Sequence, residues 1–313
     1  MKPTISIIIP TYNRAHLILE TLESVRNQDF KNWECLIIDD HSTDNTKTIV
    51  CDFIEEDKRF RYINKGKDIN RGASISRNIG ISMSKGEYLQ FLDSDDILAS
   101  NKLKEQFEIL SAYSSKCIST CKWGIFNFKS DPLELYENKA DYKTFCSPIE
   151  YFEVIGKVGG FFPPHCFLIH KELLCYSGYW NENISLNDDG EFFFRIILNC
   201  EKILFTENTY VRYRNKSERK DNLSILNTST KAQDLLNSWK IIEALYFTKY
   251  PNKKSTYLIK KKESVYFELK KAYPHLIKKN KRFFPQEIKN DNLYVKYMKV
   301  KKKIIKKIKS FIQ

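Results

Sequence analysis

Three polar clusters follow apolar runs in the first third of this 313-residue sequence: Thr11-Tyr12-Asn13-Arg14, Asp39-Asp40-His41-Ser42-Thr43-Asp44 and Asp93-Ser94-Asp95-Asp96. The last places three carboxylates and a hydroxyl in succession. Closely spaced carboxylates repel one another unless a cation or hydrogen bonds compensate them. Oxygen-only donors suit Mg²⁺ or Mn²⁺, which bind one or two protein carboxylates plus substrate phosphates. Alone, such a run reads as a solvated turn capping the next helix. Following a buried strand, and matched by a second acidic strand end, it reads better as a cation site. Between the acidic clusters lies Asn70-Arg71-Gly72-Ala73-Ser74-Ile75-Ser76-Arg77-Asn78-Ile79-Gly80, which is not GxGxxG. No GxxxxGK[ST] occurs either, so dinucleotide and P-loop readings lack support. Arg77 and Asn78 read either as a solvated helix face or, for Arg77, as a basic residue near a diphosphate, since Arg suits phosphate oxygens.

The elements that must carry these clusters alternate. Ile5–Pro10 and Trp33–Asp39 are continuous apolar runs, as in strands buried on both faces. Phe60–Asn64 and Glu87–Leu92 read as a third and fourth strand. Between and after them, Ile18/Leu22/Val25, then Ile49/Val50/Phe53/Ile54 within Asp44–Glu55, Ile75/Ile79/Met83 and Leu103/Phe107/Leu110 recur at helical spacing, with Ser42 the expected N-cap of the second helix. Such alternation predicts an α/β fold with a mostly parallel, doubly wound sheet, whose ligands lie outside the carboxyl ends of the strands. Residues 111–235 are aromatic-rich and less regular, and from about Ser238 the pattern turns helical and lysine-rich.

Composition is that of an ordinary globular chain: 42% hydrophobic and 29% charged. No apolar run reaches the ~18 residues of a membrane span, and the N-terminal apolar run reads as a strand rather than a signal peptide. The eight cysteines (35, 51, 117, 121, 146, 166, 175 and 200) include no CxxC, which favours free thiols in a reducing cytosol. Collagen-like, disulfide-scaffold, secreted and membrane-spanning classes are excluded on these grounds. The net charge of +13 divides unevenly. From Lys240 onward there are 22 Lys and Arg against 5 Asp and Glu, a net of +17, which leaves −4 for residues 1–239.

The succession SIIIPTYNR, LIIDDHSTDNT, NRGASISRNIG and KGEYLQFLDSDD resembles family 2 glycosyltransferases of the GT-A fold, inverting and of the bacterial surface-polysaccharide type, over about the first 110 residues. The resemblance implies a nucleoside-diphosphate sugar, favoured as a UDP-sugar, lying over the sheet. Thr11, Tyr12 and Asn13 would line the nucleotide pocket, with Pro10, Arg14 and Ser94 completing it. Asp40 would contact the base, and Arg77 the base or diphosphate. Asp93 and Asp95 would form the DxD pair that holds ribose and metal (Mn²⁺ or Mg²⁺), with Asp95 and Asp96 the candidate metal ligands. Further on, Gly178-Tyr179-Trp180-Asn181-Glu182 and Leu186-Asn187-Asp188-Asp189-Gly190-Glu191-Phe192-Phe193-Phe194-Arg195 resemble the family's G-aromatic-x-E and ED-x-E-F…R region. That match puts Asp189 at the catalytic base position, with Asp188 standing where Glu is usual; the pair equally reads as a cap of the Glu191–Leu198 helix, and one Asp can do both jobs. Where the family often has His after a Tyr-Arg pair, Tyr213-Arg214 is followed by Asn215.

These matches imply a metal-dependent inverting transfer to a hydroxyl of a glycan or lipid-linked acceptor; a non-catalytic assembly partner on the same fold is the alternative. A nucleotidyltransferase lacks its Gly-rich triphosphate loop. Residues 158–170 are expected on the acceptor side, with Phe161 and Phe162 either a sugar wall or core. Asp188 and Trp180 are placed there too, Trp180 stacking on a pyranose. His165 and His170 read as packing or hydrogen-bonding residues rather than ligands. The expected organisation is a catalytic domain over 1–235, in halves 1–110 and 111–235, and a helical lysine-rich extension over 236–313. Within it, Lys296–Gln313 has eight lysines, no acid, and an apolar stripe of Val300, Ile304, Ile305, Ile308, Phe311 and Ile312. This suits a helix lying on anionic lipid at the inner face of the cell membrane; the competing reading is a helix packed on its own protein or on a partner in a homodimer, and no nucleic acid is expected.

Overall fold

The computed structural model describes residues 2–66, 69, 72–137, 139–215 and 225–293. The Lys296–Gln313 helix and its membrane contact, together with Asn70 and Arg71, lie outside them.

Strands and helices alternate as expected in the first part: β1 (Ile5–Thr11), α1 (Ile18–Arg26), β2 (Trp33–Asp39), α2 (Thr46–Glu56), β3 (Phe60–Asn64), α3 (Ala73–Met83), β4 (Tyr88–Phe91), β5 (Ile97–Leu98) and α4 (Lys102–Leu110). All seven residues of β1 and of β2 are buried, which is why both read as unbroken apolar runs. The remainder is β6 (Cys117–Phe126), α5 (Pro148–Val158), β7 (Leu168–His170), α6 (Leu174–Ser177), α7 (Asp188–Asn199), β8 (Lys202–Arg214), α8 (Ser229–Lys249), α9 (Thr256–Ala272) and α10 (Pro274–Lys279).

The eight strands form one sheet in the order β3-β2-β1-β4-β7-β6-β8-β5. Pairings β3–β2, β2–β1, β1–β4 and β6–β8 are parallel, whereas β7 and β5 run antiparallel to their neighbours. The mostly parallel sheet is therefore borne out, with two short reversed strands in its second half. Of three residues and two residues, they carry too little pattern to be read in advance. All eight cysteines are free. Among the described residues no helix is long and apolar enough to cross a membrane.

The expected division between residues 235 and 236 falls inside α8. Ala232, Leu235, Leu236, Trp239 and Ile242 of that helix are buried together, and they join the same hydrophobic cluster as Ile5 and Phe91. The C-terminal helices thus share the core of the sheet. A Cβ at Gly156 of α5 would lie 2.4 Å from the Tyr257 backbone nitrogen, so α5 and α9 touch backbone to backbone at a glycine.

Candidate active site

The carboxyl ends of β1, β2 and β4 bring the three polar clusters to one edge of the sheet. Three described non-glycine residues have positive φ, and all three stand here: Asn13 after β1 at 50°, His41 after β2 at 63°, and Asn187 before α7 at 60°. Such backbone is sparsely populated and persists where surrounding bonds over-determine it. Those bonds are present. Asn13 N–H donates to Ser42 Oγ at 2.9 Å, and Asn13 Oδ1 accepts from Thr43 N–H at 2.8 Å. Arg14 N–H donates to Thr46 Oγ1 at 2.8 Å, and Asp40 N–H to Thr11 O at 2.8 Å. The two loops are one hydrogen-bonded unit, over which Tyr12 stands exposed beside buried Pro10 and Thr11.

Ser42 is not the cap of α2. Its hydroxyl donates to Asp39, whose other oxygen accepts from the Tyr62 hydroxyl, and Asn45 takes the N-cap position without a side-chain bond. Asp39 is 1% exposed and so braces the loop rather than facing a ligand. Asp40 is held differently: Lys65 Nζ lies 2.6 Å from Oδ1, and Gly72 N–H donates to Oδ2 at 2.8 Å. Lys65 went unnoticed in the sequence, although it stands just after β3 at the same edge. Its buried ammonium supplies the counter-charge Asp40 requires.

Arg77 does not point freely at a diphosphate. Its Nη2 donates to Asp93 Oδ1 at 2.8 Å and its Nη1 to Asp188 Oδ2 at 3.0 Å, while Ser74 Oγ donates to the same Asp188 oxygen at 3.1 Å. The guanidinium lies 4.2 Å from the centroid of the Trp180 ring, which stacks on Phe192 at 4.1 Å and 9°. Trp180 is 2% exposed, so stacking on an acceptor pyranose is corrected: the indole is the floor beneath Arg77, covered on both faces. Asp188 is likewise drawn to Arg77 and the DxD side rather than outward to an acceptor. Asn78 fixes the floor by donating to Trp180 O and accepting from Trp180 N–H, each at 2.9 Å.

Asp189 follows at the first turn of α7, half-buried, with its Oδ1 accepting from Gly190 N–H at 2.7 Å. Burial, and next the charge of Asp188, push its carboxyl up to about 6, against the opposing pull of Gly190 and Arg77. A carboxylate tuned this way is ionised at neutral pH and more basic than an ordinary one.

In the D-S-D-D run the four residues separate. Asp93 is partly exposed and bound to Arg77. Ser94 and Asp95 are buried, with Asp95 Oδ2 3.9 Å from Arg14 Nε. Asp96 is fully buried and faces inward: Oδ1 accepts from Arg214 N–H at 2.7 Å, and Oδ2 lies 3.2 Å from His165 Nδ1. Arg214 also donates to Asp95 O at 2.8 Å, Asn127 O at 2.7 Å and Glu20 Oε2 at 2.6 Å. Asp96 as a metal ligand is thereby corrected, because its carboxylate is fully buried and held from behind the loop by the Arg214 N–H. His165 is fully buried, with its Nδ1 beside Asp96. Asn215, where a histidine was sought, donates its backbone N–H to Phe126 O.

Among the described residues no three His, Cys, Asp or Glu side chains are grouped to hold a metal on their own. A divalent ion at this loop would have to be held by one or two of its carboxylates and completed by substrate phosphate oxygens, the usual habit of Mg²⁺ and Mn²⁺.

The model of the family described as "Glycosyl transferase family 2" matches residues 6–176. A GalNAc(5)-diNAcBac-PP-undecaprenol beta-1,3-glucosyltransferase of Campylobacter jejuni is 38% identical over 101 residues, which is 32% of this chain and 32% of that one. The match therefore spans about a third of that relative's length. Among solved structures, S. aureus TarS 1–349 in complex with UDP-GlcNAc superposes with a TM-score of 0.66 at 20% identity, covering 86% of this chain and 73% of that one. The mannosyltransferase PcManGT from Pyrobaculum calidifontis, in complex with GDP-Man and Mn²⁺, gives 0.55 at 16% identity, covering 91% and 81%. At such identities the superpositions speak for the fold, and they bear out the GT-A expectation. With one family model taking in more than half of its residues, the chain belongs to glycosyl transferase family 2.

Proposed function

We propose that this chain is an inverting glycosyltransferase of surface-polysaccharide synthesis, moving a sugar from a nucleoside-diphosphate sugar, favoured as UDP-linked, to a hydroxyl of a glycan or lipid-linked acceptor. One observation carries the reading: a single guanidinium, Arg77, binds Asp93 of the DxD run and Asp188 beside Asp189. The DxD carboxylate and the neighbour of the proposed base are thereby held by one cation. The UDP-GlcNAc bound by TarS and the PP-undecaprenol in the name of the Campylobacter enzyme support the donor and acceptor classes.

The donor would lie over the Thr11–Arg14 and Asp40 loops, with the Asp40 carboxylate, fixed by Lys65 and Gly72, presented to the base. Asp189 takes the acceptor's hydroxyl proton as its oxygen bonds to the anomeric carbon. The carbon–oxygen bond to the diphosphate breaks on the opposite face, and its electron pair leaves with the nucleoside diphosphate. A positioned base of this kind contributes ~10²–10⁴-fold. Mn²⁺ or Mg²⁺ held through Asp95 would supply positive charge to the departing diphosphate. Arg77, enclosed between two carboxylates, positions Asp93 and Asp188. The proposal includes an anionic-membrane contact through Lys296–Gln313 at the inner face of the membrane.

Incubation with UDP-, GDP- and dTDP-sugars and Mn²⁺, following nucleoside diphosphate release, tests the activity. Release from at least one donor, lost in EDTA, is expected. Donor binding without any release or transfer would leave the non-catalytic assembly role instead.

A further inference from the structure

On the far side of β4 from the nucleotide loops, a buried carboxylate and a buried indole N–H, neither hydrogen-bonded, gather around one ammonium. Asp141 is fully buried, and neither of its oxygens accepts a hydrogen bond from a described residue. Lys139 Nζ stands 3.9 Å from its Oδ2. The same ammonium lies 5.1 Å from the ring centroid of Trp123, 5.2 Å from Tyr136 and 5.6 Å from Tyr142. The Trp123 Nε1–H is buried and finds no acceptor among the described residues. Phe161 meets Trp123 edge-on at 5.7 Å and is 42% exposed, and Tyr136 is 39% exposed, so the cluster opens to solvent through aromatic rings. Gly160 lets the chain pass against the carboxylate: a Cβ there would lie 2.4 Å from Asp141 Oδ2.

A chain of ring contacts links the cluster to the back of the D-S-D-D loop. Trp123 of β6 packs on Tyr213 of β8 at 6.2 Å, and Tyr213 stacks on His165 at 6.0 Å and 12°, the histidine that meets Asp96. In the sheet, β6 and β8 lie beyond β4 and β7, away from β1–β3.

A buried carboxylate with no hydrogen-bond donor and only the Lys139 ammonium near it, and a buried indole N–H with no acceptor, each cost free energy that a ligand would recover. The ligand must offer hydroxyls that both donate and accept, and an apolar face for exposed rings. A pyranose has both. We propose that Trp123, Tyr136, Phe161, Lys139 and Asp141 form the subsite that receives the acceptor's pyranose ring, its C–H face on Phe161 and Tyr136 and its hydroxyls on Asp141, Lys139 and Trp123. Burial, opposed by Lys139, holds the Asp141 carboxyl above its ordinary range, which hydroxyl donors would relieve. This rests on the glycosyltransferase reading and names where its acceptor sits.

Saturation-transfer NMR on the full chain with UDP present, using the methyl β-glycosides of glucose, galactose and N-acetylglucosamine, tests it. At least one glycoside should bind, and Asp141→Asn and Phe161→Ala should each weaken it by about tenfold or more. The UDP-induced thermal shift of each variant reports fold and donor site separately. Binding of no glycoside, equal binding in both variants, or transfer to choline in place of the glycosides overturns the subsite. Absence of a thermal shift with UDP, GDP and dTDP alike would instead remove the donor reading beneath it.

Discussion

Arg77 Nη1 meets Asp188 Oδ2 at 3.0 Å across 111 residues of sequence, from the third helix to the start of α7. The guanidinium is buried and has Asp93 as its second partner, so its loss leaves two carboxylates facing each other without a cation. Breaking a buried pair from one side typically costs 3–5 kcal/mol. Arg77→Ala should therefore lose about 3–5 kcal/mol in urea unfolding. A loss under about 1 kcal/mol, the scale of a surface pair, would show that the bridge is not structural.

Asp189 should set the acid limb of the pH–rate profile. As a proton acceptor it works only when ionised, and its carboxyl is raised to about 6. The rate is therefore full well above pH 6 and falls as pH drops through that value. Asp189→Asn should lower transfer ~10²–10⁴-fold while UDP still shifts the melting temperature. An unchanged rate in the variant would pass the base role to another group.

How much of this was legible in advance depended on how local the determinant was. The strands β1 and β2 announce themselves because burial on both faces leaves Ile5–Thr11 and Trp33–Asp39 almost wholly apolar. The three polar clusters followed, since strand ends in a parallel sheet share an edge. Trp180 misled, because an aromatic beside glycine looks the same whether it faces a sugar or lies under a guanidinium. The deciding contacts come from Arg77 and Asn78, some hundred residues away. Asp96 misled for the same reason: its partners, Arg214 and His165, arrive from β8 and the loop before β7. The Ser42 cap failed through nearby competition, as Asp39 takes the hydroxyl first.

Asp95 and Asp96, neighbours in sequence, should respond differently. Asp95→Ala should reduce UDP affinity measured by calorimetry in Mn²⁺ to the level found in EDTA. Asp96→Ala leaves the buried Arg214 N–H without its acceptor, so it should lower stability by about 1–3 kcal/mol. Its UDP binding should still respond to Mn²⁺. The reverse pattern would return Asp96 to the metal.

The C-terminal helices should prove inseparable from the catalytic body. Gly156 of α5 touches the Tyr257 backbone of α9, and an added Cβ would stand 2.4 Å from a main-chain nitrogen that no side-chain rotation can clear. Phe152 and Phe194 pack on the Tyr257 ring at 5.6 and 6.4 Å, so displacing α9 also disturbs α7, which begins at Asp188 and Asp189. Overpacking of this kind costs about 1–3 kcal/mol. Gly156→Ala should lose about that much in a single cooperative unfolding transition that includes the helices. Two separate transitions, with only the second sensitive to UDP, would mean that α8–α10 form an independent unit and that the boundary expected near residue 235 has thermodynamic substance.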